Sequence, residues 1–128
     1  MTGTDTLVLI VEDTEDNLLL IRRLLRKTGF RLIEAHDGRA AIDQARTHRP
    51  DLVLLDMSLP EVDGWTVART LREMPETKTA TIVALTAHAM DGDRQKALDA
   101  GCHHYMTKPI DVPSFLPTLT RILESRRG

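Results

Sequence analysis

The residues best suited to chemistry in this chain sit directly behind short apolar runs. Glu12 and Asp13 follow Leu7-Val8-Leu9-Ile10-Val11, and Asp56 follows Leu52-Val53-Leu54-Leu55. Thr86 follows Thr81-Ile82-Val83-Ala84-Leu85, and Lys108-Pro109 follows the weaker run His103-His104-Tyr105-Met106. Any one polar residue at the end of an apolar run is ordinary, because strands end in polar residues and acids cap helices. In an open parallel sheet, however, ligands bind beyond the carboxyl ends of the strands. Three carboxylates, a hydroxyl and an ammonium then converge on one edge.

Carboxylates crowded together repel, and at least one would take up a proton unless a cation relieved them. An all-oxygen ligand set completed by water suits Mg²⁺, or Mn²⁺, better than zinc, which favours nitrogen and sulfur. With Lys108 as a fixed positive charge and Thr86 as a donor, the set suits phosphoryl transfer. In that chemistry the protein mostly positions the reactants and neutralises charge on the equatorial oxygens. Asp56 is then the nucleophile, and the product an acyl phosphate.

The elements that must position these groups alternate along the chain. Leu18, Ile21 and Leu25 share one helical face, and Gly29 is a helix stop. Arg31-Leu32-Ile33-Glu34-Ala35 reads as a more polar strand, and Asp37-Gly38 as a turn. Ala41, Ile42 and Ala45 line a second helix that ends before Pro50. Trp65, Ala68 and Leu71 lie on a third, between Gly64 and Met74, and Arg94 to Ala100 forms a fourth, closed by Gly101. A last helix runs to about Glu124, and placing its N-cap at Ser114 puts Pro117 in the first turn, where no backbone donor is needed. The first, third and fourth apolar runs lack a polar face, as central parallel strands covered by helices on both sides do. The fold class is α/β, five βα units in one doubly wound sheet.

Composition narrows the function. The chain has 128 residues, enough for one domain, with 41% hydrophobic and 28% charged residues. Seventeen basic residues against nineteen acidic give a net charge of −2, so no broad basic surface points to nucleic acid. Aromatics make up 3%, leaving few platforms for stacking bases or flavins. The lone cysteine, Cys102, forms no disulfide framework and fits a reducing cytoplasm. No run suits a membrane span, and Met1-Thr2-Gly3-Thr4-Asp5-Thr6 lacks the shape of a signal peptide. Adjacent His103 and His104 would face opposite sides of a strand and cannot share a metal.

Taken together, Glu12-Asp13, Asp56, Leu59-Pro60, Asp63-Gly64, Thr86-Ala87, Tyr105 and Lys108-Pro109 resemble the receiver domain of two-component response regulators, the CheY-like family. The resemblance runs from about Leu7 to Glu124. It implies a flavodoxin-like sheet of strand order 2-1-3-4-5 and a phosphoryl group taken by Asp56 from a phosphohistidine. It also implies Mg²⁺ held by Asp13, Asp56, Glu12 and the Ser58 backbone carbonyl. Lys108 and Thr86 would contact the phosphoryl oxygens, across a cis Lys108–Pro109 bond. Thr86 and Tyr105 would form a switch that changes the face made by the fourth helix, the fifth strand and the last helix. Ser58 and His88 are placed to reach an attacking water and so to set the lifetime of the phosphorylated state.

The resemblance further implies, as partners, a sensor histidine kinase or histidine phosphotransfer protein and a downstream protein. It implies no nucleic-acid or membrane partner, and a monomer or weak dimer. On this reading one receiver fills 1–128 with no output domain, either as a single-domain regulator or as a module excised from a hybrid histidine kinase or larger regulator. The segments Thr86-Ala87-His88-Ala89-Met90 and Lys108-Pro109-Ile110 resemble those of single-domain cell-fate regulators and hybrid-kinase receivers. Three other classes fit less well. A flavin carrier needs a phosphate-cradling loop where Glu12-Asp13 would repel phosphate. A haloacid-dehalogenase-type phosphohydrolase wants an aspartate where Ser58 stands. A degenerate, phosphorylation-independent interaction module would not need so complete a site.

Overall fold

The computed structural model describes residues 6–59, 62–86, 95–96 and 98–127. Five strands, β1 (Leu7–Val11), β2 (Arg31–Ala35), β3 (Leu52–Asp56), β4 (Thr81–Thr86) and β5 (His104–Thr107), form one sheet. Its order is β2-β1-β3-β4-β5, and every pairing is parallel. The helices are α1 (Glu15–Leu25), α2 (Gly38–His48), α3 (Gly64–Glu73) and α4 (Val112–Arg127). Gln95, Lys96, Leu98 and Asp99 are also helical, within the segment expected as the fourth helix. Pro60, Ala87, His88, Ala89, Met90 and Arg94, named in the sequence reading, lie outside the described residues.

Side chains along a strand alternate between faces, so apolar central strands fill two cores. Leu9 and Val11 of β1, Val53 and Leu55 of β3, and Ile82 and Ala84 of β4 pack with Val67, Ala68 and Leu71 of α3. Val8 and Ile10, Leu52 and Leu54, and Val83 and Leu85 pack on the other face, with Leu18, Ile21 and Leu25 of α1 and Phe115, Leu119 and Ile122 of α4. Each of these valine, leucine, isoleucine and phenylalanine side chains, fully buried, contributes about 1.5–3 kcal/mol relative to exposure. This two-sided burial holds the carboxyl ends of β1, β3 and β4 level.

Local chemistry sets the helix starts. The Asp37 carboxylate caps α2 by accepting the Ala40 N–H at 2.8 Å, and Asp63 caps α3 by accepting that of Thr66 at 2.9 Å. Both carboxylates satisfy donors that lack a helical partner. Gly64 lets α3 begin hard against the end of β3, since a Cβ there would sit 2.9 Å from the Asp56 carbonyl oxygen. Gly29 closes the turn after α1 with φ at 81°, in the left-handed region that favours glycine.

Two strand starts are fastened by side chains. The Leu7 N–H donates to the Asp51 carboxylate at 2.8 Å, while Asp51 N–H donates to the Leu7 carbonyl at 2.8 Å. Likewise the Ile82 N–H donates to His103 Nδ1 at 3.0 Å, and His103 N–H donates to the Ile82 carbonyl at 2.8 Å. His103 therefore serves the sheet from just before β5, and His104 is exposed.

The structure corrects two expectations. β5 begins at His104 and not at His103, because the His103 side chain is engaged with Ile82. α4 begins at Val112, three residues ahead of the expected start, so Pro117 lies inside the helix. The reason is Asp111, whose carbonyl accepts the N–H groups of Ser114 at 3.2 Å and Phe115 at 3.1 Å and whose carboxylate accepts the Ser114 hydroxyl. Pro113 then falls in the first turn, and burial of Phe115, Leu119 and Ile122 carries the helix past Pro117.

Candidate functional site

The carboxyl ends of β1 and β3 bring the acidic residues together. The Glu12 N–H donates to the Ala35 carbonyl at 3.0 Å, extending the β1–β2 pairing by one residue. Its side chain turns into the molecule and is 0% exposed. Asp13 points outward, and Asp56 is buried, 1% exposed. One oxygen from each of Glu12, Asp13 and Asp56 lies within 4.8 Å of the others.

Lys108 reaches this cluster from the loop after β5. Its Nζ lies 3.1 Å from Glu12 Oε1 and 3.3 Å from Asp56 Oδ2. The Lys108 N–H donates to the Thr86 carbonyl at 2.8 Å, which pins the residue to the end of β4. The Lys108–Pro109 bond is cis, as the resemblance implies. On the other flank, Ser58 N–H donates to Asp56 Oδ1 at 3.0 Å, and Met57 N–H to the Leu85 carbonyl at 2.9 Å. The Asp56 carboxylate thus has a backbone donor on one oxygen and an ammonium beside the other.

Charge in this space is unbalanced. Burial pushes the Glu12 carboxyl above its usual range and the Asp56 charge adds to that, while Lys108 and Asn17 work against it. Burial also opposes the Lys108 charge, but the hydrogen bond and charge of Glu12 and the charge of Asp56 outweigh it, and its pKa is raised. Lys108 is therefore held as an ammonium. Three carboxylates and one ammonium leave a formal excess of two negative charges.

A hard divalent cation fits that excess. The donors are all oxygen, and Glu12 Oε1 is a buried acceptor without a hydrogen bond. Lys108 Nζ approaches that oxygen within ion-pair distance but off the direction of a hydrogen bond, and donates instead to Oε2 at 3.3 Å. A buried carboxylate oxygen without a hydrogen bond is costly, and one ammonium beside three carboxylates leaves room for a further cation. The chemistry of the set favours Mg²⁺-like ions over softer metals.

The remaining expected residues lie close by. Thr86 is buried at the end of β4, opposite Thr107 of β5. Tyr105 pairs in register with Ala84, is half-buried, and packs on the core that holds Ala84. It also lines a cavity of about 320 Å³ with Met106, Ile110, Ser114 and Phe115. Ser58 is exposed, and its backbone contacts Asp56. Sequence reasoning overlooked two donors. Thr14 N–H and Asn17 Nδ2 donate to Glu12 Oε2 at 3.3 and 3.4 Å. An amide one turn into the helix that follows an acidic pair was the available signal.

An open, doubly wound parallel sheet with an acidic cluster and a lysine at the carboxyl ends of its strands defines a phosphoacceptor class of α/β module. The chain belongs to the response regulator receiver domain family, whose model matches residues 8–120. It is 43% identical over 116 residues to the polar-differentiation response regulator DivK of Brucella anthropi, covering 91% of this chain and 94% of that protein. The receiver domain of sensor histidine kinase PA1611 from Pseudomonas aeruginosa, solved with a magnesium ion coordinated in its active-site cleft, is 35% identical with a TM-score of 0.82. That likeness covers 91% of this chain and 95% of that one. The Saccharomyces cerevisiae receiver of Ssk1, solved with the histidine phosphotransfer protein Ypd1, is 28% identical with a TM-score of 0.85. Here 94% of this chain and 90% of the other are covered. The protein is accordingly a receiver of two-component signalling, and no helix among its described residues is long and apolar enough to cross a membrane.

Proposed function

We propose that Asp56 accepts a phosphoryl group from a phosphohistidine on a sensor histidine kinase or a histidine phosphotransfer protein. The observation that carries this reading is the buried Asp56 carboxylate, with Lys108 3.3 Å from one oxygen and Ser58 N–H on the other. A carboxylate oxygen of Asp56 forms the new O–P bond as the donor's P–N bond breaks. The electron pair of the broken bond stays on the departing imidazole nitrogen.

Glu12, Asp13, Asp56 and the Ser58 carbonyl are the residues to hold Mg²⁺. When bound, the ion neutralises charge on the phosphoryl oxygens and brings donor and acceptor into line. Lys108 stays charged and meets the transferred oxygens, and Thr86 donates its hydroxyl to them. The added charge draws Thr86 toward it, Tyr105 turns in behind, and the face made by the expected fourth helix, β5 and α4 changes for a downstream protein. The protein acts as a cytoplasmic signalling acceptor, monomeric or weakly dimeric, with slow self-dephosphorylation tuned by Ser58 and His88.

Incubation with acetyl phosphate and Mg²⁺, followed by intact-mass analysis, tests the assignment. One added phosphoryl group is expected, not formed when EDTA is present from the start and absent from Asp56→Asn. Equal labelling of the Asn variant would refute Asp56 as the acceptor. The decay of the label in Ser58→Ala and His88→Ala tests the tuning role, and unchanged lifetimes would remove it.

A further inference from the structure

Glu12 is held unevenly. Its Oε2 collects three donors, the Thr14 N–H at 3.3 Å, Asn17 Nδ2 at 3.4 Å and Lys108 Nζ at 3.3 Å. Its Oε1 is buried and accepts no hydrogen bond from the described residues, its neighbour being the Lys108 ammonium, an ion-pair contact at 3.1 Å. A carboxylate tied through one oxygen cannot turn about its last side-chain bond, so the direction of the other oxygen is fixed. Two of the three ties, Thr14 and Asn17, come from the start of α1, which is anchored in the core through Leu18 and Ile21.

The third tie is shared. Lys108 lies beside both Glu12 and Asp56. Any shift of Lys108 toward a group on Asp56 weakens its hold on Glu12, leaving Thr14 and Asn17 to keep the carboxylate in place. A neutral amide suits this task. A lysine at position 17 would repel a cation, and an aspartate would add a fourth carboxylate to the cluster without donating to Glu12.

We propose that Asn17 is a positioning residue for the cation site, holding Glu12 by Oε2 so that Oε1 is kept for the metal. The inference rests on the metal-dependent reading given above and assigns it a residue outside the ligand set. Outer partners that orient a metal ligand commonly carry tenfold or more of the affinity.

Calorimetric titration of Mg²⁺ into the unphosphorylated protein tests it, in the parent, Asn17→Ala, Glu12→Gln and the double variant. Asn17 is half-buried in a helix and alanine is the better helix former, so the variant is expected to fold, as circular dichroism will show. Asn17→Ala is expected to raise the Mg²⁺ Kd about tenfold in the parent. In the Glu12→Gln background the same change should cost less than about twofold, since Asn17 acts through Glu12. Unchanged affinity in Asn17→Ala, or an equal loss in both backgrounds, overturns the proposal while leaving the metal site standing. A parent that takes no Mg²⁺ overturns the metal reading, and this inference with it. Asn17→Ser, which keeps a shorter donor, should fall between the parent and the alanine variant.

Discussion

Arg22 and Glu34 form a two-pronged ion pair away from the site. The guanidinium donates Nη2–H to one Glu34 oxygen at 2.8 Å and Nε–H to the other, joining α1 to the outer strand β2. This hydrogen-bonded fork with Arg22 holds the Glu34 carboxyl below its usual range. A carboxyl lowered by folding contributes stability above its unfolded value, about 4.3, and that contribution fades as the pH falls through the lowered value. Arg22→Ala is therefore expected to lower the melting temperature at pH 7 and to do so progressively less below about pH 4. A deficit that persists unchanged in acid would mean that Arg22 acts through packing alone. At the same scale, Glu12, Asp13 and Asp56 stand out in the sequence because each follows an apolar run that ends abruptly, and the structure gathers them with Lys108 at one end of the sheet. The Asn17 contact is fainter, since its spacing from the acidic pair is a signal but the orientation of α1 decides whether that amide turns toward Glu12.

The elements differ in how plainly their residues announce them. β1 and β2 fall at the expected Leu7–Val11 and Arg31–Ala35, α2 begins at the expected Asp37-Gly38 turn, and α3 begins at the expected Gly64. β5 shifts by one residue because its pattern of exposed and half-buried side chains gives a weak periodic signal. α4 is the clearest departure, with tertiary burial overriding a local breaker. Pro117 offers no N–H to the Pro113 carbonyl, and the ring crowds that oxygen. Pro117→Ala, at an exposed position of α4, is expected to stabilise the protein by about 1–2 kcal/mol after the greater freedom of the unfolded chain is allowed for. Denaturant midpoints measure the change, and a destabilised variant would show that the proline ring itself contributes packing. A cation–π contact 4.9 Å long runs from Lys96 to the Trp65 ring of α3, so the only tryptophan of the sequence sits beside a residue of the expected fourth helix.

Across the whole molecule, the two cores leave the lone thiol sealed. Cys102 is 4% exposed, and burial pushes its pKa up to about 12. The thiolate is the reactive form, so iodoacetamide at neutral pH should modify the native protein far more slowly than the unfolded chain. Rapid labelling without denaturant would show that the region around Ala100 and Cys102 opens on its own. If Mg²⁺ binds only the folded state, it should slow labelling further. The cluster has a further consequence for the way the protein is made. Lys108 and Glu12 are partners across 96 positions, and Asp56 joins them only when β1 and β3 pair side by side. A nascent chain carries both acids of the first loop long before it carries the lysine that offsets them. Phosphate acceptance as proposed for Asp56 would double as a certificate of completed folding, since a half-built molecule has no assembled site with which to answer a phosphodonor.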